Sequence, residues 1–189
     1  MMRKRFLLIA ILLCLSSMAF AVQGVSVGLG GGAYAGLPVG QNGYGVSLEG
    51  RAKVMWFGFT VSGSCFFQGT GDHEFSVMGS VGPSVDLGGK IRLGLEIGPR
   101  FRVVVDADGN PFLYDMEGDL VPAVRTLDYF SYSPVSYRAT IEWIAGHLIF
   151  GVAYQVDTKY RFKRWSEVKE LGSVDWETGT VGCTIKYMW

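Results

Sequence analysis

From Tyr44 to Trp56 the chain reads YGVSLEGRAKVMW, and every charge in that stretch falls on one side of a two-residue alternation. Tyr44, Val46, Leu48, Gly50, Ala52, Val54 and Trp56 share one face; Ser47, Glu49, Arg51, Lys53 and Met55 share the other. A helix, with its period of 3.6, would scatter both sets, whereas successive strand side chains point to opposite sides. Residues 91 to 103 repeat the division, with Ile91, Leu93, Leu95, Ile97, Pro99, Phe101 and Val103 opposing Arg92, Gly94, Glu96, Gly98, Arg100 and Arg102. A chain built of such segments must hide one face and satisfy the other.

Six further segments divide in the same way. Apolar faces run through Val25, Val27, Leu29 and Ala33; through Phe57, Phe59, Val61, Cys65 and Phe67; and through Phe75, Val77, Val81, Val85 and Leu87. Later come Val135 to Trp143, Leu148 to Val156, and the terminal TVGCTIKYMW, where Val181, Cys183, Ile185, Tyr187 and Trp189 fall at every second position and Thr180, Gly182, Thr184 and Lys186 fill gaps between them. Breaks near 55–58, 88–90 and 145–147 are as short as tight hairpins. Between them lie longer connections at 36–43, 68–74, 104–134 and 157–173. All short turns therefore fall at one end of the sheet and all long loops at the other, as in an up-and-down barrel of eight antiparallel strands. The 104–134 connection has room for another hairpin, which leaves a ten-strand variant open.

Residues 1–21 carry the pattern of a secretory signal: Arg3, Lys4 and Arg5, then an apolar run from Phe6 to Leu15, then Ala19-Phe20-Ala21 as a small-x-small cleavage site. The apolar run is short of the roughly 20 residues a spanning helix needs. Cys14 follows Leu13 rather than a small residue, which argues against an acylated-cysteine signal. Removing 1–21 takes three of the 17 basic residues and none of the 17 acidic ones, so 22–189 carries about −3. That balance speaks against nucleic acid as a partner, since its binders are basic.

Two barrels fit eight antiparallel strands: a soluble one with its apolar face inward, and a membrane one with that face against lipid. Placing the apolar face inside would crowd Trp56, Phe57, Phe59, Trp143, Tyr187 and Trp189 at one end. Those residues make a poor core and a natural girdle at a membrane interface. Tyr44, Phe67, Phe75 and Tyr137 would form the opposite belt. The lumen then holds Glu49, Arg51, Lys53, Asp86, Arg92, Glu96, Arg100, Arg102, Arg138, Glu142 and Lys186, of mixed sign and able to pair. Gly28, Gly30 and Gly32 would either leave room for arginines from across the lumen or mark a strand bend.

A signal, alternating strands and a final strand ending on an aromatic resemble the small outer-membrane β-barrels of the OmpX, OmpW and OmpA transmembrane-domain type. The resemblance covers 22–189 and is architectural. It implies residence in the cell outer membrane after export, contact with outer-membrane lipids, and recognition of the C-terminal strand by the barrel assembly machinery through Val181, Cys183, Ile185, Tyr187 and Trp189.

No motif assigns a catalytic, cofactor-binding or metal residue. Cys65 and Cys183 fall on the outward face of non-neighbouring strands, which favours free thiols over a disulfide. His73, in Gly71-Asp72-His73-Glu74, lies in a loop in this frame, and a lipid A-modifying activity there competes with a solvated loop. His147 reads as turn chemistry. Asp106-Ala107-Asp108-Gly109-Asn110 begins like a calcium loop but lacks its register, which favours a turn. KYRFKRW, 159–165, interleaves cations with aromatics, as an extended hairpin would or as a surface for lipopolysaccharide phosphates or a host glycan would. The expected function is that of a non-enzymatic surface protein acting in membrane integrity, adhesion or ligand contact through its long loops, with a small-solute channel as the alternative.

Overall fold

In a computed structural model, residues 25–37, 43–67, 72–114, 119–122 and 126–189 are described. The signal read at 1–21 lies outside them, as do parts of the loops near 36–43, 68–74 and 104–134. The described strands are β1 (Val25–Gly36), β2 (Tyr44–Val54), β3 (Phe57–Phe67), β4 (His73–Leu87), β5 (Ile91–Val105), β6 (Pro111–Tyr114), β7 (Leu120–Pro122), β8 (Pro134–Ala145), β9 (Leu148–Arg161) and β10 (Val174–Met188). A one-turn-and-a-half helix, α1 (Thr126–Ser131), precedes β8.

Each strand of the wall pairs antiparallel with its chain neighbour, with β8 taking its place directly after β5. The ring closes where β1 meets β10, from Gly28 opposite Met188 to Gly36 opposite Thr180, and the Trp189 amide donates to the Val27 carbonyl at 3.0 Å. Closure leaves no unpaired edge, which is what a sheet in hydrocarbon requires. This is a closed, eight-stranded, antiparallel barrel. The extra hairpin does exist, as β6 and β7, but among the described residues its strands pair with the wall only through Val104 opposite Phe112 and Val105 opposite Pro111. Because β8 occupies the β5 edge from Ile91 to Pro99, the hairpin extends β5 beyond the barrel and the wall does not become ten-stranded.

The inside is polar and the outside apolar. Glu49, Glu96, Arg100, Arg138, Glu142 and Lys186 are almost completely enclosed, whereas Leu48, Val61, Leu95, Ile141 and Ile185 are exposed. In water such a surface would be untenable; against lipid it is the required one. Among the described residues no helix is long and apolar enough to cross a membrane, so the strands are the only elements that could do so. The eleven residues from Tyr44 to Val54 match the roughly 9–11 a tilted strand needs to span.

The strands at the long-loop end reach further than the alternation suggests. β4 begins at His73 and β9 continues to Arg161, so residues read as loop belong to the wall. In β9 the alternation breaks: Gln155, Val156, Asp157 and Thr158 are all buried, beside a register shift between Pro134 and Ser136 on β8. A bulge adds a residue to one strand and re-aims its neighbours, which is why a strict two-residue frame stops working there.

Candidate functional site: a charged lumen beneath an aromatic mouth

Ion pairs occupy the lumen at three levels. Near the short turns, Asp86 on β4 accepts from Lys53 on β2 and Arg92 on β5, each at 2.7 Å. The middle level is a continuous chain of alternating sign. Arg51 contacts Glu96 at 3.2 Å and Glu142 at 2.6 Å; Lys186 joins Glu142 at 2.9 Å to Glu49 at 3.2 Å; Arg138 reaches Glu49 at 2.7 Å. Arg51 and Glu49 sit on β2, while Glu142 and Arg138 sit on β8, diametrically across the ring. Three carboxylates therefore face three cations, with Ser80 donating to Glu96 at 2.7 Å and Tyr34 donating to Glu49. Nearer the long loops, Glu74 and Asp157 are shared by Arg100 and Arg102, at 2.7 to 3.3 Å.

All eleven charges expected inside are there. The pattern missed Tyr34, Glu74, Asp157 and Arg161. Glu74 is in phase with Ser76 and on the opposite face to Phe75, and was accessible from the sequence by carrying the β4 frame two residues upstream of Ser76; Asp157 was hidden by the bulge. The glycines divide differently from either simple reading. A Cβ at Gly30 would lie 2.0 Å from the Ile185 carbonyl, and one at Gly32 would lie 2.7 Å from that of Cys183, so these residues permit close approach of β1 and β10. Room for an arginine comes from Gly94 and Gly58, where a Cβ would stand 2.7 and 3.2 Å from the Arg51 Nη2.

Between the middle and upper levels lies a small polar cavity of about 10 Å³, lined by Ser47, Ser62, Ser64, Gln155 and Thr180 among others. At the mouth a second small cleft, about 10 Å³, is formed by Arg102, Tyr114, Tyr129, Tyr132 and Arg161 with Leu113, Ser133 and Pro134. The Arg102 guanidinium lies 4.4 Å from the centre of the Tyr114 ring.

The remaining candidates take definite places. His73 is the first residue of β4 and packs edge-on against Phe67, 5.3 Å between ring centres, while its neighbour Glu74 is committed to the two arginines. His147 contributes more than a solvated turn: it stacks on Tyr187 at 5.6 Å, and its Nδ1 lies 3.0 Å from the Met188 carbonyl, fastening the terminal strand. Cys65 and Cys183 are free thiols on β3 and β10, which β1 and β2 separate. The Asp106 carboxylate accepts from the Asp108 amide at 3.0 Å and from the Asn110 amide and side chain at 2.7 and 3.0 Å, which is turn chemistry.

Along 159–165 the aromatics are divided between packing and exposure. Phe162 stacks on Phe130 at 4.8 Å and Lys163 caps the Tyr132 ring at 4.3 Å, but Trp165 is 76% exposed. Tyr44, Phe67 and Phe75 lie on the outer face as a belt requires. Tyr137 departs from it: half-buried, it donates to the Leu171 carbonyl at 3.0 Å and ties a loop to the wall. Exposed Trp176 on β10 is an interface-type residue that the alternation did not reveal.

Against known proteins, no family model matches the chain and no curated protein matches its sequence. Among solved structures, the attachment invasion locus protein Ail of Yersinia pestis is similar with a TM-score of 0.50 and 12% identity, over 89% of this chain and 100% of that one. Neisserial surface protein A gives 0.48 and 9%, over 87% and 97%. A designed transmembrane β-barrel gives 0.46 and 11%, over 87% and 94%. At such identities the likeness concerns the fold, and the fold is that of the small outer-membrane β-barrels.

Proposed function

We propose that the protein is a non-enzymatic barrel of a bacterial outer membrane, exported by the signal at 1–21, that acts at the cell surface through its long loops in membrane integrity, adhesion or ligand contact. Outer-membrane lipids surround it, and the assembly machinery takes its C-terminal strand. The observation that carries this reading is the middle level of the lumen. Six charged side chains from β2, β5, β8 and β10 span the bore and neutralise one another, so the interior is committed to holding the wall together and the loops remain for function. Exposed Trp165 and Trp176, with Lys159, Lys163 and Arg164 nearby, suit lipopolysaccharide or a glycan, because cations and aromatic faces together engage phosphate and sugar.

A small-solute channel is the second reading, favoured by the polar cavity above the middle level. Planar-bilayer recordings separate the two. The surface-protein reading expects no stable conductance steps from the wild type; steps altered by Glu96→Ala or Arg100→Ala would establish the channel. Lipid A from cells overproducing the wild type and His73→Ala should have the same composition, and a difference between them would replace this reading with an enzymatic one.

A further inference from the structure

On β2, β3 and β4 the outward side chains stay bare up to the long-loop end, where Tyr44, Phe67 and Phe75 are all exposed. The sector from β5 to β9 is different. Val135 pairs with Pro99, and Val156 with Tyr137, on the outward face, yet the two valines are only 8% and 4% exposed and Tyr137 is half-buried. The connection between β9 and β10 packs against the wall here. It makes two 3-10 turns, Phe162–Arg164 and Val168–Gly172. An aromatic column on the outside of the barrel fixes the first. Phe101 of β5, which shares the outward face with its partner Val77, lies 6.0 Å from Phe130 of α1, and Phe130 stacks on Phe162 at 4.8 Å. The second turn is tied where the Tyr137 hydroxyl donates to the Leu171 carbonyl at 3.0 Å.

The depth of that tie follows from the strand. Counting up β8 from Trp143 in the short-turn girdle, Tyr137 is reached before the roughly 9–11 residues of a crossing are used. The connection therefore meets the wall at the height of headgroups and upper acyl carbons. Its free side is amphipathic. Trp165 is exposed, as are Val168, at 60%, and Phe130, and Arg164 and Lys169 are exposed beside them. Lys163 is drawn over the Tyr132 ring. The acidic residues of the same stretch, Glu167 and Glu170, are half-buried, and Arg164 meets Glu167 only at 3.7 Å, an exposed pair too weak to commit the guanidinium. Large apolar side chains left uncovered next to cations are unfavourable in water and suited to the edge of a bilayer, where rings settle and basic side chains reach phosphate.

We propose that the 160–172 connection is an interfacial foot, lying along the outside of the barrel in the surrounding leaflet with Trp165 and Val168 among upper acyl carbons and Arg164 and Lys169 at lipid phosphates. The inference rests on the membrane-barrel reading, and it gives these residues a bilayer lipid as their partner in place of a free glycan.

Fluorescence quenching in vesicles tests it. Two forms of the mature barrel keep a single tryptophan, Trp165 or Trp143, with phenylalanine at the other tryptophan positions, and are folded into phosphatidylcholine brominated near the headgroup end of one acyl chain. Trp143, on the outer wall, reports whether the barrel is inserted. Quenching of Trp165 by bromolipid to within about twofold of Trp143 is expected, with protection from acrylamide relative to the urea-unfolded chain. Adding Arg164→Gln and Lys169→Gln should reduce the quenching of Trp165, and undiminished quenching would overturn the phosphate contacts. Quenching of Trp165 by acrylamide but not by bromolipid, while bromolipid quenches Trp143, overturns the foot and leaves the barrel reading standing. If bromolipid quenches neither, the membrane reading fails and the foot fails with it. Should the phenylalanine substitutions cost the fold, as judged by heat-modifiable mobility, a nitroxide at Val168→Cys with Cys65 and Cys183 changed to alanine decides instead. Relaxation by oxygen above that by a water-soluble nickel complex is expected there, and the reverse order overturns the proposal.

Discussion

Arg51 shows how one side chain can organise a membrane barrel from inside. Its guanidinium crosses the bore from β2 to Glu142 on β8 and Glu96 on β5, and also donates to Thr140 and Ser84 at 3.2 Å. Removing one partner of a buried pair leaves an uncompensated charge, at about 3–5 kcal/mol. Arg51→Met should therefore cost about 3 kcal/mol, the lower end, because Glu142 retains Lys186 and Glu96 retains Ser80. Adding Glu142→Gln should return part of that loss. Urea unfolding in lipid vesicles, followed by tryptophan fluorescence, measures both, and a double variant no more stable than the single one would mean that the two groups do not interact. The niche for Arg51 is equally specific: at Gly94 a Cβ would lie 2.5 Å from the Thr140 hydroxyl as well as against the guanidinium. That the charges face inward was legible in the sequence, because each strand keeps them in phase. Which charge meets which in the middle level was not, because Arg51, Glu142, Glu49 and Arg138 meet across the bore, and no single-strand pattern encodes the relative stagger of β2 and β8.

At the level of elements, the short turns and the strand faces followed from alternation and turn residues, while the upper ends of β4, β9 and β10 did not. There bulges at Ser136 and between Asp175 and Thr180 break the period on which the reading depends. Two connections lend themselves to measurement. Val54 pairs with Phe57, so Met55 and Trp56 form a two-residue hairpin loop, and Met55 takes φ +53 at the position where glycine is favoured. Met55→Gly should stabilise the barrel by about 0.5–1 kcal/mol, since it relieves a left-handed L-residue whose side chain is exposed. A lowered urea midpoint for that variant would show the methionine to be anchored in the interface instead. In the 106–110 turn, hydrogen bonds from Asn110 above all, and from the amides of Asp108 and Gly109, hold the Asp106 carboxyl below its ordinary range. A carboxylate depressed in the folded state supports the turn above its ordinary titration and loses that support as pH falls through the lowered value. Amide protection at Asp108 and Asn110 should accordingly collapse only at pH below the usual aspartate range. Asn110→Ala should move the collapse upward, and hydrogen-exchange NMR across an acid titration would detect either result.

For the whole molecule, the governing fact is that polarity is inverted around the wall. Every second residue of β2 from Tyr44 to Val54 faces outward and carries no charge, and the same holds for β5 from Ile91 to Phe101, so the uncharged band is one bilayer tall on both. Trp56, Trp143 and Trp189 mark its lower edge and Tyr44, Phe67 and Trp176 its upper edge, where amphipathic rings settle between lipid and water. Enclosed charge and exposed hydrocarbon are two results of the same alternation, so a single experiment can test both. With Cys65 and Cys183 changed to alanine, nitroxides attached at Leu95→Cys, 56% exposed on the outer face, and at Ser62→Cys, which lines the lumen cavity, report the two environments. In vesicles the Leu95 probe should be relaxed by dissolved oxygen, which concentrates among acyl chains, and shielded from a water-soluble nickel complex. The Ser62 probe should show little contact with oxygen, because the wall of backbone hydrogen bonds and the paired charges separate it from lipid. Exchange of these two accessibilities would mean that the apolar face lines a cavity and the charged face meets solvent. The transmembrane reading, the lumen energetics and the outward loops would then fail together.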